Sequence, residues 1–151
     1  MKNTLQVLIG SVVAVASLWG ALTEASAYDR KWEEGTVWTI QFAKTKPGKF
    51  NSYVTDLSNV YRKYADRLVK DGVVLSYRIL EVSFPRDNEP DIMVLTEYKD
   101  MQVFDRGAAY FDKVIEEVLG SMTEAEKAEI NREELRSIRG EVLARQLKFV
   151  N

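Results

Sequence analysis

Hydrophobic positions change period along the chain, and each change marks an element. From Val37 to Lys44 apolar side chains alternate with period two: Trp38, Ile40 and Phe42 share one face and Val37, Thr39, Gln41 and Ala43 the other. This predicts a strand with both faces at least partly buried. Pro47 has no N–H for a sheet ladder and Gly48 tolerates a sharp change of direction, so the strand must end near Lys46. From Phe50 the spacing becomes helical. Phe50, Val54, Leu57, Val60/Tyr61, Tyr64 and Leu68 form an apolar stripe, closed by Gly72 as the left-handed residue after the last turn.

The same two periods then recur. Val73 to Phe84 is rich in branched and aromatic residues and reads as a second strand. The proline-bounded turn Pro85 to Pro90 leads into a third, Asp91 to Lys99, antiparallel to the second because so short a loop can only make a hairpin. A short helical segment from Asp100 to Phe104 precedes a helix over Ala108 to Leu119, stopped by Gly120. Thr123 with Glu126 has capping-box form, so a further helix is expected to run to Arg139 and end at Gly140. It is thin in large apolar residues and should lie on the surface. Glu141 to Val150 is the last strand.

The order β, α, β, β, α, (α), β is the split βαβ or ferredoxin-like pattern, an α+β fold with a four-stranded antiparallel sheet and helices on one face. Every strand nevertheless offers apolar residues on both sides, which calls for a second layer. A homodimer whose two sheets face one another and close a dimeric α/β barrel around a cavity supplies it.

The start of the chain changes the compartment expected. Lys2, an apolar run from Leu5 to Leu22, and Ala25-Ser26-Ala27 have the three parts of a secretory signal, so residues 1–27 are expected to be removed; the alternative is a retained membrane anchor. Residues 28–36 are a charged lead-in expected to be coil, and 37–151 form a single domain. The chain has no cysteine, so a protein of an oxidising compartment would fold without disulfides, which suits a bacterial periplasm. A net charge of −2 gives no reason to expect nucleic acid or an acidic membrane surface as partner.

Histidine is absent too, which excludes histidine bases, histidine triads and histidine-ligated haem or zinc. Only oxygen ligands would be left for a metal, and no Asp-x-Asp-x-Asp-Gly loop collects them, so neither metal nor cofactor is expected.

The strand Val37 to Lys44 running into Lys46-Pro47-Gly48-Lys49-Phe50, with a hairpin ending in Glu97-Tyr98-Lys99-Asp100-Met101, resembles the dimeric α/β-barrel superfamily. Its relatives include NIPSNAP-like and antibiotic-biosynthesis monooxygenase-like domains, and more narrowly the chain resembles secreted bacterial proteins. The resemblance spans Val37 to Val150 and implies the barrel dimer. It leaves the chemistry open, because the superfamily holds monooxygenases, haem-degrading enzymes, isomerases and plain ligand binders. Its haem branches rely on a histidine that this chain lacks.

If the Trp38, Ile40 and Phe42 face lies under the helices, the barrel interior receives Thr39 and Gln41. Which faces of the other strands join them is open: Ser76 and Arg78 or Tyr77 and Glu81, Thr96 and Tyr98 or Glu97, Arg145 or Gln146 and Lys148. The candidate ligand-binding set is Gln41, Tyr77, Arg78, Glu97, Tyr98 and Arg145, for a small apolar or anionic molecule. The plainer reading pairs Arg78 with Glu97 across neighbouring strands. Arg132, Arg136 and Arg139, at helical spacing, are expected to form a solvated face, and Tyr61, Tyr64, Tyr110 and Phe111 to be core. The leading function is a periplasmic homodimeric binder without catalysis. The alternative is a cofactor-independent oxygenase or isomerase, with Glu97 or Glu81 as base and Arg78 as charge stabiliser.

Overall fold

The computed structural model describes residues 30–151, so the expected signal segment lies outside the described residues. Four strands, β1 (Trp32–Thr45), β2 (Val74–Glu81), β3 (Ile92–Tyr98) and β4 (Arg136–Phe149), form one antiparallel sheet in the order β2-β3-β1-β4. With helices α1 (Phe50–Asp56) and α2 (Arg62–Lys70) between β1 and β2, and α3 (Ala108–Leu119) and α4 (Met122–Glu133) between β3 and β4, this is the ferredoxin-like arrangement. No helix among the described residues is long and apolar enough to cross a membrane.

The register sorts the side chains into two faces. On one, Ser76, Glu97, Trp38 and Ala144 form a row across the sheet, followed by Arg78, Leu95, Ile40 and Val142, then Leu80, Met93, Phe42 and Gly140. On the other lie Tyr77, Thr96, Thr39 and Leu143, then Ile79, Val94, Gln41 and Glu141, then Glu81, Ile92, Ala43 and Ile138. The second face carries the helices: Ala43, Ile92 and Val94 pack with Tyr53 and Leu57, and Val74 packs with Leu68, Val73, Val103 and Val114. The Trp38, Ile40 and Phe42 face is therefore the open one, and the condition that would have put it under the helices is not met. The reason is volume. The helix brings tyrosines at 53, 61 and 64, and only the strand face built from Val37, Thr39 and Ala43 is small enough to receive them at interior packing density.

Several expected boundaries move. β1 begins at Trp32, so the lead-in is strand from there rather than coil, paired with the last residues of β4 (Trp32 opposite Phe149). The helix stripe is offset from the expected one: Tyr53, Leu57, Ala65 and Leu68 are buried, while Val54 faces out. Residues spaced by four drift by about 40° per step around a helix of 3.6 residues per turn. The chain absorbs that drift in a π turn, Leu57–Tyr61, which joins α1 to α2. At the other end, α4 is capped by Ser121, whose hydroxyl accepts from the Glu124 N–H, rather than by Thr123. It stops at Glu133 rather than Arg139, and β4 begins at Arg136 rather than Glu141. Arg136 and Arg139 consequently leave the expected helical row and belong to a strand.

One turn depends on glycine. Gly107, between the 3-10 turn Met101–Arg106 and α3, has φ 78 and ψ 160, a backbone region that a residue with Cβ enters only under strain.

Candidate functional site

The helix-side face of the sheet is not packed solid. Between it, the π turn and the junction of α4 with β4 lies a cavity of about 260 Å³. Thr39 and Gln41 of β1, with Val94, Thr96 and Tyr98 of β3, form its floor. Tyr53 and Leu57 of the first helix and Tyr61 of the π turn form its wall, and Glu129, Arg132, Arg136 and Glu141 close it. Small polar residues on a strand face under large aromatic ones account for the gap: Thr39 and Thr96 stand side by side in one row and fill less space than the branched chains of a packed core.

The tyrosines are hydrogen-bonding groups held neutral. Tyr61 Oη lies 2.8 Å from Thr96 Oγ1. Desolvation pushes the Tyr61 phenol up to about 12, against a partial opposing pull from Thr96. Burial likewise raises Tyr98, with the Thr39 and Thr96 hydroxyls drawing it partly back, and raises Tyr53, with Arg136 and Arg132 opposing. Tyr64, just outside the cavity, is also pushed up to about 12 by burial.

This fixes an alkaline prediction. A phenol whose folded pKa is raised above its unfolded value of about 10 keeps its proton in the folded state after the unfolded chain has lost it. Stability contributed by Tyr61 and Tyr64 is thus complete below pH 10 and is lost as pH rises through 12. Denaturant midpoints from pH 8 to 12 should be level to about pH 10 and fall beyond it, and Tyr61→Phe should reduce the fall. A fall beginning below pH 9 would contradict the assignment.

Arg132 and Arg136 are already matched. Arg132 Nε donates to Asp56 Oδ2 at 2.7 Å and its Nη1 to Glu129 Oε2 at 2.8 Å. Arg136, only 4% exposed, donates from Nη1 to Glu133 Oε1 at 2.8 Å and from Nη2 to Glu129 Oε1 at 3.0 Å. Two cations thus face three carboxylates, with Glu141 a fourth at the cavity. The charge balance suits a neutral molecule better than an anion. What remains unpaired is specific: Arg136 Nε and the Tyr53 hydroxyl are buried without a hydrogen-bond partner. The Arg136 guanidinium lies over the Tyr53 ring, 5.8 Å from its centroid, and reaches close enough to the hydroxyl that its charge and a side-chain interaction both draw the phenol down against burial, without forming a full hydrogen bond. An unsatisfied buried hydroxyl costs about 1–3 kcal/mol.

The candidate set from the sequence is divided by the sheet. Gln41 and Tyr98 meet in this cavity, and Gln41, a candidate for the interior between two sheets had the other face lain under the helices, lies under its own helices. Gln41 Nε2 faces Glu141 Oε2 at 3.5 Å. Tyr77 is on the same face but donates to Asp66 Oδ1 at 2.7 Å, toward the outside, and Arg145 pairs with Glu34 at the sheet edge. Arg78 and Glu97 are on the open face. There the Glu97 carboxylate accepts from Thr36 at 2.8 Å and Ser76 at 2.6 Å, and the Trp38 indole donates to Thr36 at 3.1 Å. Arg78 stands opposite Leu95 in the register, not Glu97, and lies over the Trp38 ring at 6.0 Å. The expected Arg78–Glu97 pair is replaced by these contacts, because Glu97 sits one row further along.

Tyr53, Tyr61, Thr96 and Arg136 were outside the candidate set. Periodicity assigns Tyr61 to the core and leaves Tyr53 off the apolar stripe, and Arg136 reads as a solvated helix position. The available signal was the size mismatch between bulky helix and small strand residues. Two larger depressions, about 560 Å³ beside Gly72 and about 480 Å³ beside Pro47 and Gly48, are lined mainly by turns and charged chains and carry no unpaired buried polar group.

No family model matches the chain, and no curated protein matches it in sequence. Among solved structures it is similar to HapK from Hahella chejuensis, at 12% identity and TM-score 0.49, covering 73% of this chain and 91% of that one. It is also similar to a dimeric ferredoxin-like protein from an uncultured marine organism, at 12% identity and TM-score 0.47, covering 79% and 91%. A third is a Shewanella oneidensis protein, at 11% identity and TM-score 0.46, covering 80% and 98%.

Proposed function

We propose that the protein is a periplasmic homodimer that binds a small, neutral, partly apolar molecule, without catalysis, in the cavity between each sheet and its own helices. The observation that carries this reading is the pair of unpartnered buried groups, Tyr53 Oη and Arg136 Nε, at one cavity. Both can donate, and the hydroxyl can also accept, so a ligand oxygen would satisfy them together. Tyrosines held neutral suit recognition by hydrogen bonds more than proton abstraction.

Self-association is supported by the open face. Trp38, Ile40, Phe42, Leu80, Met93, Leu95 and Val142 stand in adjacent rows there, half-buried to exposed, and a contiguous apolar face of this kind marks an interaction surface. Phe84 at the β2–β3 hairpin adds to this: it is 98% exposed and held at φ 58, an unusual place for a large aromatic that serves only its own chain.

The test is a native mass spectrum of the protein purified from the periplasm, set beside its denatured mass. The expected result is a dimer of chains beginning at Tyr28, carrying a discrete extra mass that denaturation removes. A monomer with no added mass would overturn both parts of the proposal.

A further inference from the structure

A second cavity, about 280 Å³, lies on the other side of Tyr61, beneath α4. Its remaining lining is mostly apolar, with Val60, Tyr64, Ile115 and Leu119 below and Ala125 and Ala128 of α4 above. The two cavities share Tyr61, Glu129 and Arg132. They therefore meet at the side chains of these three residues. Those three chains are anchored near their tips, Tyr61 at Thr96 and Arg132 at Asp56 and Glu129, by bonds that a rotamer change can exchange. The roof is light as well: α4 contributes no buried residue, and its two alanines leave the cleft open. The π turn straddles the partition, with Leu57 lining the inner cavity, Val60 the outer and Tyr61 both. Such turns recur at functional sites.

We propose that the two cavities are the halves of one site and that its ligand is an amphiphile. A single oxygen-bearing ring sits against Tyr53 and Arg136, and an alkyl tail runs past Tyr61 under α4. This rests on the reading of the inner cavity as a ligand site. Size supports the joining, since each cavity alone is below the roughly 300 Å³ at which small-molecule sites begin and the pair exceeds it. So does chemistry: of the residues lining the two cavities, those with an unpaired buried polar atom, Tyr53 and Arg136, are on the inner side, and the aliphatic wall is on the outer.

Titration calorimetry of the purified protein with phenol, 4-ethylphenol, 4-butylphenol and 4-hexylphenol tests this. Affinity should rise about fourfold per methylene buried. Ala128→Trp, or Ala125→Leu if the first melts early, should leave phenol binding intact and abolish the gain with chain length. If wild-type protein binds phenol with no gain along the series, or if the gain survives in both filled-cleft variants, the joined site is overturned and the inner cavity stands alone. If no phenol in the series binds, the inner-cavity reading falls with it.

Discussion

On the proposed pairing of two copies through the open face, Ile40→Lys should leave the protein monomeric at micromolar concentration. Ile40 occupies the middle of the open face, in a row with Leu95 on one side and Val142 on the other. In a face-to-face dimer with its twofold axis at the middle of this face, the position lies near its own copy, so one substitution buries two ammonium groups in a row that already holds Arg78 and has no carboxylate. Central apolar anchors cost about 2 kcal/mol or more each when lost, and two of them make roughly 4 kcal/mol, a thousandfold in dissociation constant. In the monomer the same lysine stands on a solvent-facing sheet and its stem can lie across Phe42 and Trp38, so the fold should persist. Sedimentation equilibrium, with circular dichroism to confirm the fold, reads the result. A variant that stays dimeric with unchanged affinity would show that the open face is not where the copies meet.

That prediction depends on knowing which face is open, and the sequence does not decide it. Alternation in Val37 to Lys44 correctly separates Trp38, Ile40 and Phe42 from Val37, Thr39, Gln41 and Ala43, because period two is a property of the strand itself. Which set the helices cover depends on a partner elsewhere in the chain, and when both sets are apolar hydrophobicity gives no preference. Size does: Tyr53, Tyr61 and Tyr64 fit over Val37 and Thr39, and would not fit over Trp38 and Phe42.

The element order was legible because turns and caps are local. Gly72 and Gly120 do close their helices, each with positive φ. Gly140, in contrast, is a strand residue opposite Phe42, beside a register shift in the β1–β4 pair. Read as a helix stop, it carried Arg136 into α4 and hid the group most closely tied to the cavity. The π turn was not legible at all, since nothing in Leu57 to Tyr61 differs in composition from an ordinary helical turn. It is the tertiary demand that Tyr53, Leu57 and Tyr61 all face the sheet that selects it.

Tyr53→Phe should make the protein more stable and a poorer binder at once. The side chain is fully buried, so the ring must stay to avoid a cavity costing about 3–5 kcal/mol, and Phe keeps it. The hydroxyl has no partner in the folded chain, whereas in the unfolded chain water satisfies it. Removing it cancels that penalty and should raise stability by about 1 kcal/mol, roughly 4 °C in Tm for a domain of this size. Arg136 should not reverse the sign, because its approach to the hydroxyl falls short of a hydrogen bond and its guanidinium keeps Glu129 and Glu133 as partners. A ligand oxygen that bonds to Tyr53 loses that bond, so phenol affinity should fall about tenfold and the mass carried by the native dimer should diminish. Such opposition between stability and binding is what a group kept for a ligand produces, because a hydroxyl retained for folding alone would have acquired a partner. If Tyr53→Phe instead lowers Tm, the hydroxyl is satisfied within the folded chain, and the cavity loses its strongest claim to a ligand.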